Sequence, residues 1–126
     1  MNLIGERPAI EAAVRTYLDG MIFRRPDLLE NAMHPLCMQA GHFNGVYEFF
    51  NRAEFIKSLA GTEKLAVGTP YNSKIASVDI AGDVAVAKVE NDCLGTSFTD
   101  DLTLIKHDGR WQIVMKAFFD HANSIE

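Results

Sequence analysis

The chain has 126 residues, enough for one domain and too few for two independent cores, so we expect a single domain over residues 1–126. Hydrophobic residues make up 48% and charged residues 23%, a balance typical of a soluble globular protein. Twelve basic against seventeen acidic residues give a formal net charge of −5. This charge argues against a nucleic-acid partner or an anionic membrane surface, because both require a basic protein surface.

The beginning of the chain lacks a positively charged segment followed by a continuous apolar stretch, so it does not resemble a secretory signal. No apolar run approaches the roughly 18 residues that a membrane-spanning helix requires. Cys37 and Cys93 show no metal-ligand spacing, and we expect them to be reduced and buried. These observations favour a cytoplasmic protein with no cofactor and no metal.

The first third of the chain carries helical patterns. Apolar residues recur at helical spacing over residues 6–24, and Pro8 suits the first turn of that helix. Pro26 opens a second, short helix, which we expect to end at His34-Pro35 because the residue before proline avoids the helical region. Gly20 weakens the last turn of the first helix.

A hairpin and a third helix follow. Residues 36–43 alternate as a strand does, and the face expected to lie inward carries Leu36, Met38, Ala40 and His42. Asn44-Gly45 is typical of a tight turn before a returning strand over residues 46–49. Asn51 then begins a helix to about residue 60, with Glu54 placed to complete a capping box. A loop over residues 61–70 comes next.

The second half predicts four antiparallel strands joined by two-residue turns at Gly82-Asp83, Gly95-Thr96 and Asp108-Gly109. The order helix, helix, hairpin, helix and four strands indicates an α+β fold. We expect a cone shape, in which a curved, mostly antiparallel sheet wraps three helices around a cavity.

One carboxylate stands out when these turns are used to compute strand register. Asp100 is expected on the inward face between Phe98 and Leu102, opposite Ala117 and Asn91. An ionised carboxylate buried without a partner costs several kcal/mol, so Asp100 must be hydrogen-bonded, protonated or open to a cavity. Two interpretations stay open and can coexist. Asp100 lines a pocket, or it is tied structurally to Asn91, to Tyr17 or to a backbone amide.

The same register predicts the walls of a largely apolar pocket, formed by Met21, Phe98, Leu102, Met115 and Phe119. It places Lys116 on the outer face, opposite Asp101 as a cross-strand ion pair. That outer face is also half apolar, which favours a homodimer packed sheet against sheet; its apolar residues are Val84, Val86, Ile105, Val114 and Phe118.

The four histidines show no metal-binding pattern. His107 lies beside a turn and is expected in solvent, and His34 is expected to cap a helix end. His42 and His121 extend the predicted inward face, so either could reach the mouth of the cavity and assist Asp100.

Several segments together resemble a known family. They are Ala12–Ile22, Ala40-Gly41-His42, Phe55, and the strand segments Val78–Ala85 and Asp100–Lys116, where a D-x-L-x-L strand precedes D-G-x-W-x-I and a lysine. The chain resembles the "putative lumazine-binding", polyketide cyclase-like branch of the nuclear transport factor 2-like superfamily over nearly its whole length. The resemblance implies the cystatin-like cone fold, often dimeric through the sheet. It implies little about function, because this fold hosts isomerase-like, cyclase-like and dehydratase enzymes as well as binding modules.

Three functional hypotheses follow. The first is a small-molecule pocket protein for an unidentified apolar or aromatic ligand, bound by Tyr17, Met21, Asn91, Phe98, Leu102, Met115, Phe119 and His121. The second is a cofactor-independent isomerase, cyclase or dehydratase. There the resemblance implies a pocket Asp as general base, for which Asp100 fits, with His42 or His121 as its companion. The third is a dimerisation module whose cavity is incidental.

Overall fold

The computed structural model describes residues 3–122, and side chains from residue 5 onward. Its helices are α1 (Leu3–Ile22), α2 (Pro26–Ala32) and α3 (Arg52–Leu59), and its strands are β1 (Met33–Phe43), β2 (Val46–Asn51), β3 (Ser73–Ala81), β4 (Val84–Cys93), β5 (Thr96–His107) and β6 (Arg110–Asp120). The strands form one curved, open sheet in the order β2-β1-β6-β5-β4-β3. β1 pairs parallel with β6 and the other neighbours pair antiparallel, which confirms the predicted α+β cone.

The three helices cover the concave face of the sheet. α1 buries one stripe against it, formed by Ile10, Val14, Tyr17, Leu18 and Met21. Gly20 has a packing role, because a Cβ there would lie 2.9 Å from Leu29 Cγ on α2. Its missing side chain therefore lets α2 approach α1 closely. The predicted capping box of α3 is present, since Asn51 Oδ1 accepts from Glu54 N at 2.8 Å and Glu54 Oε1 accepts from Asn51 N at 2.9 Å.

The predicted inward face of β1 is wrong. Cys37 and Gln39 are buried, whereas Leu36 is 80% exposed and His42 lies on the same outer side. The strand also begins before Pro35, at Met33. Apolar side chains occupy both faces of this strand, so alternation alone does not identify which face is inward.

The turn between β4 and β5 lies one residue earlier than predicted, at Leu94-Gly95. Moving a turn by one residue moves the strand pairing by two, so Val89 lies opposite Asp100 and Asn91 opposite Phe98. A shift of two keeps every side chain on its predicted face. Asp100 and Asn91 are therefore both inward, as expected.

A bulge in β6 changes the predicted faces more severely. Leu104 pairs with Ile113 as predicted, but Thr103 pairs with Met115, which leaves Val114 as an extra residue. Beyond this bulge the alternation of β6 reverses. Lys116, Phe118 and Asp120 lie inward, and the predicted inward residues Met115, Ala117 and Phe119 lie outward.

β1 comes very close to β6 beyond the bulge. A Cβ at Gly41 would lie 2.6 Å from Phe118 O and 2.8 Å from its ring, so the missing side chain makes room for that ring. The far end of β6 is fixed by Asp120, which is 1% exposed. Its carboxylate accepts from Thr96 Oγ1 at 2.7 Å, from Asn44 N at 3.2 Å and from Ala122 N at 2.9 Å. The open end of the cone is thereby tied together.

Candidate functional site

A cavity of about 70 Å³ lies between the helices and the concave face of the sheet. Its walls are mainly apolar, with aromatic rings from β1, α3, β5 and β6 contributed by Phe43, Phe55, Phe98 and Phe118. Five hydrogen-bonding or charged side chains reach it from the sheet, namely Gln39, Glu48, Asn91, Asp100 and Lys116. Apolar walls with a few convergent polar groups are typical of ligand sites.

Asp100 is 1% exposed and shares its oxygen Oδ2 between two donors. Asn91 Nδ2 donates to it at 3.2 Å, and the hydroxyl of Tyr17 donates at 3.4 Å. Burial raises the pKa of Asp100, against the lowering effects of the Lys116 charge and of these two hydrogen bonds. Both interpretations of this residue hold together, since Asp100 is tied to its neighbours and also lines the cavity.

Lys116 is the unexpected member of the site. Its side chain is 5% exposed, and Nζ lies 4.4 Å from the ring centre of Phe55 and 5.2 Å from those of Tyr17 and Phe118. Cation–π contacts stabilise an ammonium by about 0.5–2 kcal/mol each. Within the described part of the chain no acceptor forms a hydrogen bond or ion pair with Nζ. Asp101, the outer-face partner predicted for Lys116, instead pairs with Lys88, whose Nζ donates to Asp101 Oδ1 at 2.6 Å.

Two amide side chains present oxygen atoms that lack donors. Asn91 Oδ1 and Gln39 Oε1 are buried without a hydrogen-bond partner among the described residues. Each amide nitrogen is already committed to a carboxylate, Asn91 Nδ2 to Asp100 and Gln39 Nε2 to Glu48 at 3.3 Å. Because a carboxylate accepts only from the nitrogen end, these contacts fix which way each amide points.

Tyr17 and the two cysteines stay protonated near neutral pH. Burial, and secondarily the charge of Asp100, raises the pKa of Tyr17 well above 10, so its hydroxyl remains a donor. Burial also raises the pKa of Cys93, a cavity-lining residue, to about 11, as it does for the buried Cys37. Both cysteines are free, and these pKa values exclude a reactive thiolate near neutral pH.

The structure brings part of the predicted site together. Met21, Asn91, Phe98 and Asp100 line the cavity, Tyr17 lies against Asp100, and Leu102 is fully buried in the core. Four other predicted residues lie outside it. These are His42 and Met115 on the outer face, Phe119 beside them, and His121, whose Nε2 lies 2.7 Å from Thr99 Oγ1.

Sequence reasoning missed Gln39, Phe118 and Lys116 as members of the cavity wall. Gln39 lies on the inward face of β1, which alternation could not identify because apolar side chains occupy both faces. Lys116 and Phe118 also had no signal in the sequence, because a bulge has no sequence signature as clear as that of a turn.

No group of three or more His, Cys, Asp or Glu side chains between residues 5 and 122 is arranged to hold a metal ion. Among the described helices, none is long and apolar enough to cross a membrane.

The family described as "Putative lumazine-binding" matches residues 5–119 of this chain. The chain belongs to this family. Its match covers the three helices from Gly5 onward and nearly all of the sheet, so it includes every residue that lines the cavity. No curated protein matches the chain in sequence at a significant level.

Solved structures agree with the family assignment. A nuclear transport factor 2-like protein of unknown function from Silicibacter pomeroyi DSS-3 is 31% identical, with a TM-score of 0.88 over 95% of this chain and 99% of that one. One from Shewanella baltica OS155, also of unknown function, is 21% identical, with a TM-score of 0.85 over 96% and 98% of the two chains. A protein titled "Putative Scytalone Dehydratase" from Novosphingobium aromaticivorans DSM 12444 shares the fold at 17% identity and a TM-score of 0.65, over 93% and 85%.

The raised pKa of Asp100 predicts how stability depends on pH. The folded protein holds this proton more tightly than the unfolded chain, whose carboxyl titrates near 3.8. As pH rises from about 4 towards the folded-state pKa, only the unfolded chain loses the proton, so the free energy of unfolding falls. We expect Asp100→Asn to remove this loss. Urea unfolding at several pH values between 4 and 8 should show that the free energy of unfolding of the variant rises relative to that of the wild type as pH rises.

Asp101→Asn is the matched control, because its carboxylate is the neighbouring one but faces outward. It loses a surface ion pair worth about 0.2–1 kcal/mol, without a gain that grows with pH. A stability difference between Asp100→Asn and the wild type that stays constant from pH 4 to 8 would show that burial does not raise the pKa of Asp100.

Proposed function

We propose that this protein binds a small, apolar or aromatic molecule in the cavity of the cone. The observation that supports this most directly is the pair of amide oxygens at the cavity, Gln39 Oε1 and Asn91 Oδ1, which are buried without a hydrogen-bond partner among the described residues. The ammonium of Lys116, a 5% exposed residue, likewise has no hydrogen-bond acceptor there. Each buried oxygen costs about 1–3 kcal/mol when left unsatisfied. A protein whose cavity were incidental would gain stability by replacing them with apolar side chains.

The size of the cavity indicates which part of a ligand it holds. A volume of about 70 Å³ accommodates roughly two water-sized groups. A wider groove of about 770 Å³ lies beside it, between the loop after α3 and the β4–β5 turn, and shares Phe43, Thr62, Cys93 and Leu94 with the cavity. The functional groups of the ligand fit the inner cavity, and its apolar remainder fits the groove.

Phenol is a suitable first probe, because it combines an aromatic ring with one polar group. Titration of phenol into protein carrying ¹³C-methyl methionine should shift the NMR signal of Met21, which lines the cavity, in a saturable way. The signal of Met115, which is 46% exposed on the outer face, should stay unchanged.

Ser58→Trp fills the edge of the cavity from α3 and should abolish the shift of Met21. Ala53→Trp is the matched control, since it places the same ring on the same helix at an exposed position outside the cavity. A Met21 signal that does not respond to phenol, or that responds equally in the Ser58→Trp variant, contradicts the proposed pocket.

A second candidate function is proton transfer at carbon, as in a cofactor-independent isomerase, cyclase or dehydratase. The specific observation in its favour is that Asp100 combines a raised pKa with a position facing the cavity. Its carboxylate would remove a proton next to a carbonyl group, and the ammonium of Lys116 would stabilise the negative oxygen that results. The relative titled as a dehydratase shows only that this fold occurs in a protein so described.

Exchange of the methyl protons of acetophenone in deuterated water tests this function without knowledge of the substrate. If Asp100 is a general base, wild-type protein accelerates the exchange, and Asp100→Asn lowers the accelerated rate by about 10²-fold or more. Proton NMR of acetophenone measures the rate, and Asp101→Asn should exchange as the wild type does. Exchange no faster than in buffer, or equally fast with Asp100→Asn, rejects the function.

We also propose that the outer sheet face pairs two copies of the chain. Phe118 does not belong to this face, contrary to expectation, but the face carries other exposed apolar side chains, among them Leu36, Tyr47, Phe49, Val86 and Met115. Exposed apolar side chains that share one face of a sheet are commonly covered by a two-fold partner.

Phe49→Lys should convert a dimer to a monomer, because it places a charged side chain in the apolar surface that each copy would bury. Light scattering after size-exclusion chromatography measures the mass directly. Val67→Lys is the control, since Val67 is 69% exposed but lies in the loop between α3 and β3. A wild-type protein that is monomeric at all concentrations tested contradicts the pairing.

A further inference from the structure

The polar atoms at the cavity specify the ligand's functional groups, provided that the proposed pocket exists. Lys116 Nζ carries three N–H donors and, within the described residues, no acceptor. Asn91 Oδ1 and Gln39 Oε1 are two acceptors without donors. A ligand that satisfies all three atoms must therefore bring at least one accepting oxygen and at least one donor into the same enclosure.

The position of the ammonium restricts the accepting group further. The ring centres of Tyr17, Phe55 and Phe118 lie 4.4–5.2 Å from Nζ, and Lys116 lines the cavity, so an oxygen of a ligand in the cavity can accept from its N–H bonds. A carbonyl oxygen suits this position, because it concentrates negative partial charge on one atom and needs little space.

The charge of the occupant follows from three cavity-lining groups, namely the carboxyl groups of Asp100 and Glu48 and the ammonium of Lys116. Burial raises the pKa of Asp100, so this residue balances Lys116 only at a pH above that raised value, and Glu48 brings a second carboxyl group to the wall. A carboxylate ligand would add a further negative charge beside these carboxyl groups, where like charges are strongly unfavourable. The wall therefore selects against acids of the same shape.

We infer that the ligand's buried end is an uncharged carbonyl group that carries an adjacent O–H or N–H donor. The carbonyl oxygen accepts from Lys116 Nζ, and the donor reaches Asn91 Oδ1 or Gln39 Oε1. The apolar part of the molecule extends past Phe43 and Leu94 into the wider groove. The site is thus specific for hydroxy-carbonyl or amino-carbonyl compounds with an apolar substituent.

Four probes with the same aromatic ring separate these requirements. Phenacyl alcohol has the carbonyl and the donor, acetophenone lacks the donor, phenylethanol lacks the carbonyl, and mandelate is an acid. Titrations followed at the ¹³C-methyl signal of Met21 give a dissociation constant for each. One hydrogen bond contributes about 0.5–1.5 kcal/mol, so phenacyl alcohol should bind about fivefold more tightly than acetophenone or phenylethanol. Mandelate should bind most weakly.

Lys116→Met tests the role of the ammonium, since it keeps the length of the side chain and removes its donors. The preference for phenacyl alcohol over phenylethanol should fall to about one. Lys88→Met, on the outer face, should keep the wild-type preference. The four wild-type dissociation constants test the inference on their own if Lys116→Met does not fold.

The inference and the pocket fail in different ways. If phenol shifts Met21 but the four probes bind equally well, or mandelate binds best, the pocket stands and the inferred ligand class is overturned. If neither phenol nor any of the four probes shifts Met21, the pocket itself is wrong.

Discussion

The extra residue at Val114 controls the chemistry of the cone more than any other local feature. A strand presents alternate residues to its two faces, so one unpaired residue exchanges the faces for the rest of the strand. β6 uses this exchange to bury Lys116, Phe118 and Asp120. The parallel strand β1 accommodates these inward residues. Gly41 leaves space for the ring of Phe118, and Gln39 lies opposite Lys116. The cavity's polar character therefore results from a backbone irregularity as much as from its side chains.

The burial of Lys116 and Asp100 in the cavity lowers the stability of the protein when no ligand is bound. Three aromatic rings hold the ammonium without supplying an acceptor, and Asp100 gathers Asn91 and Tyr17 around one of its oxygens. Charged groups buried with incomplete partners rarely increase stability, because desolvation exceeds what the remaining contacts return. The proposed binding function accounts for this cost, since a ligand supplies the missing partners. The same pair also suits proton transfer, in which one group moves the proton and the other stabilises the charge that forms.

The sequence predicted the architecture well and the cavity only in part. Apolar spacing, the capping box of α3 and the turn at Asp108-Gly109 are local signals, and each predicted its element. Asp100 was identifiable because a carboxylate between apolar neighbours is anomalous wherever the turn lies. The misplaced β4–β5 turn did no harm, since its error was an even number of residues. The errors that mattered were those that exchanged the two faces of a strand, as a shift by an odd number of residues does. The bulge in β6 arises from long-range pairing with both neighbours, and the two apolar faces of β1 gave no means of choosing between them.

The bulge also bears on how ligand preference could diverge among proteins of this fold. Deleting one residue at Val114 would restore regular alternation and bring Met115, Ala117 and Phe119 to the concave face in place of Lys116, Phe118 and Asp120. The enclosure would then lose its ammonium and the ring of Phe118 without any amino-acid substitution, while Asp100 and Asn91 on the neighbouring strands stayed in place. Insertions and deletions in β6 are therefore as informative as amino-acid changes when ligand classes are compared across relatives. An alignment anchored on the turn before β6 would assign the wrong residues to the cavity wherever the bulge is absent.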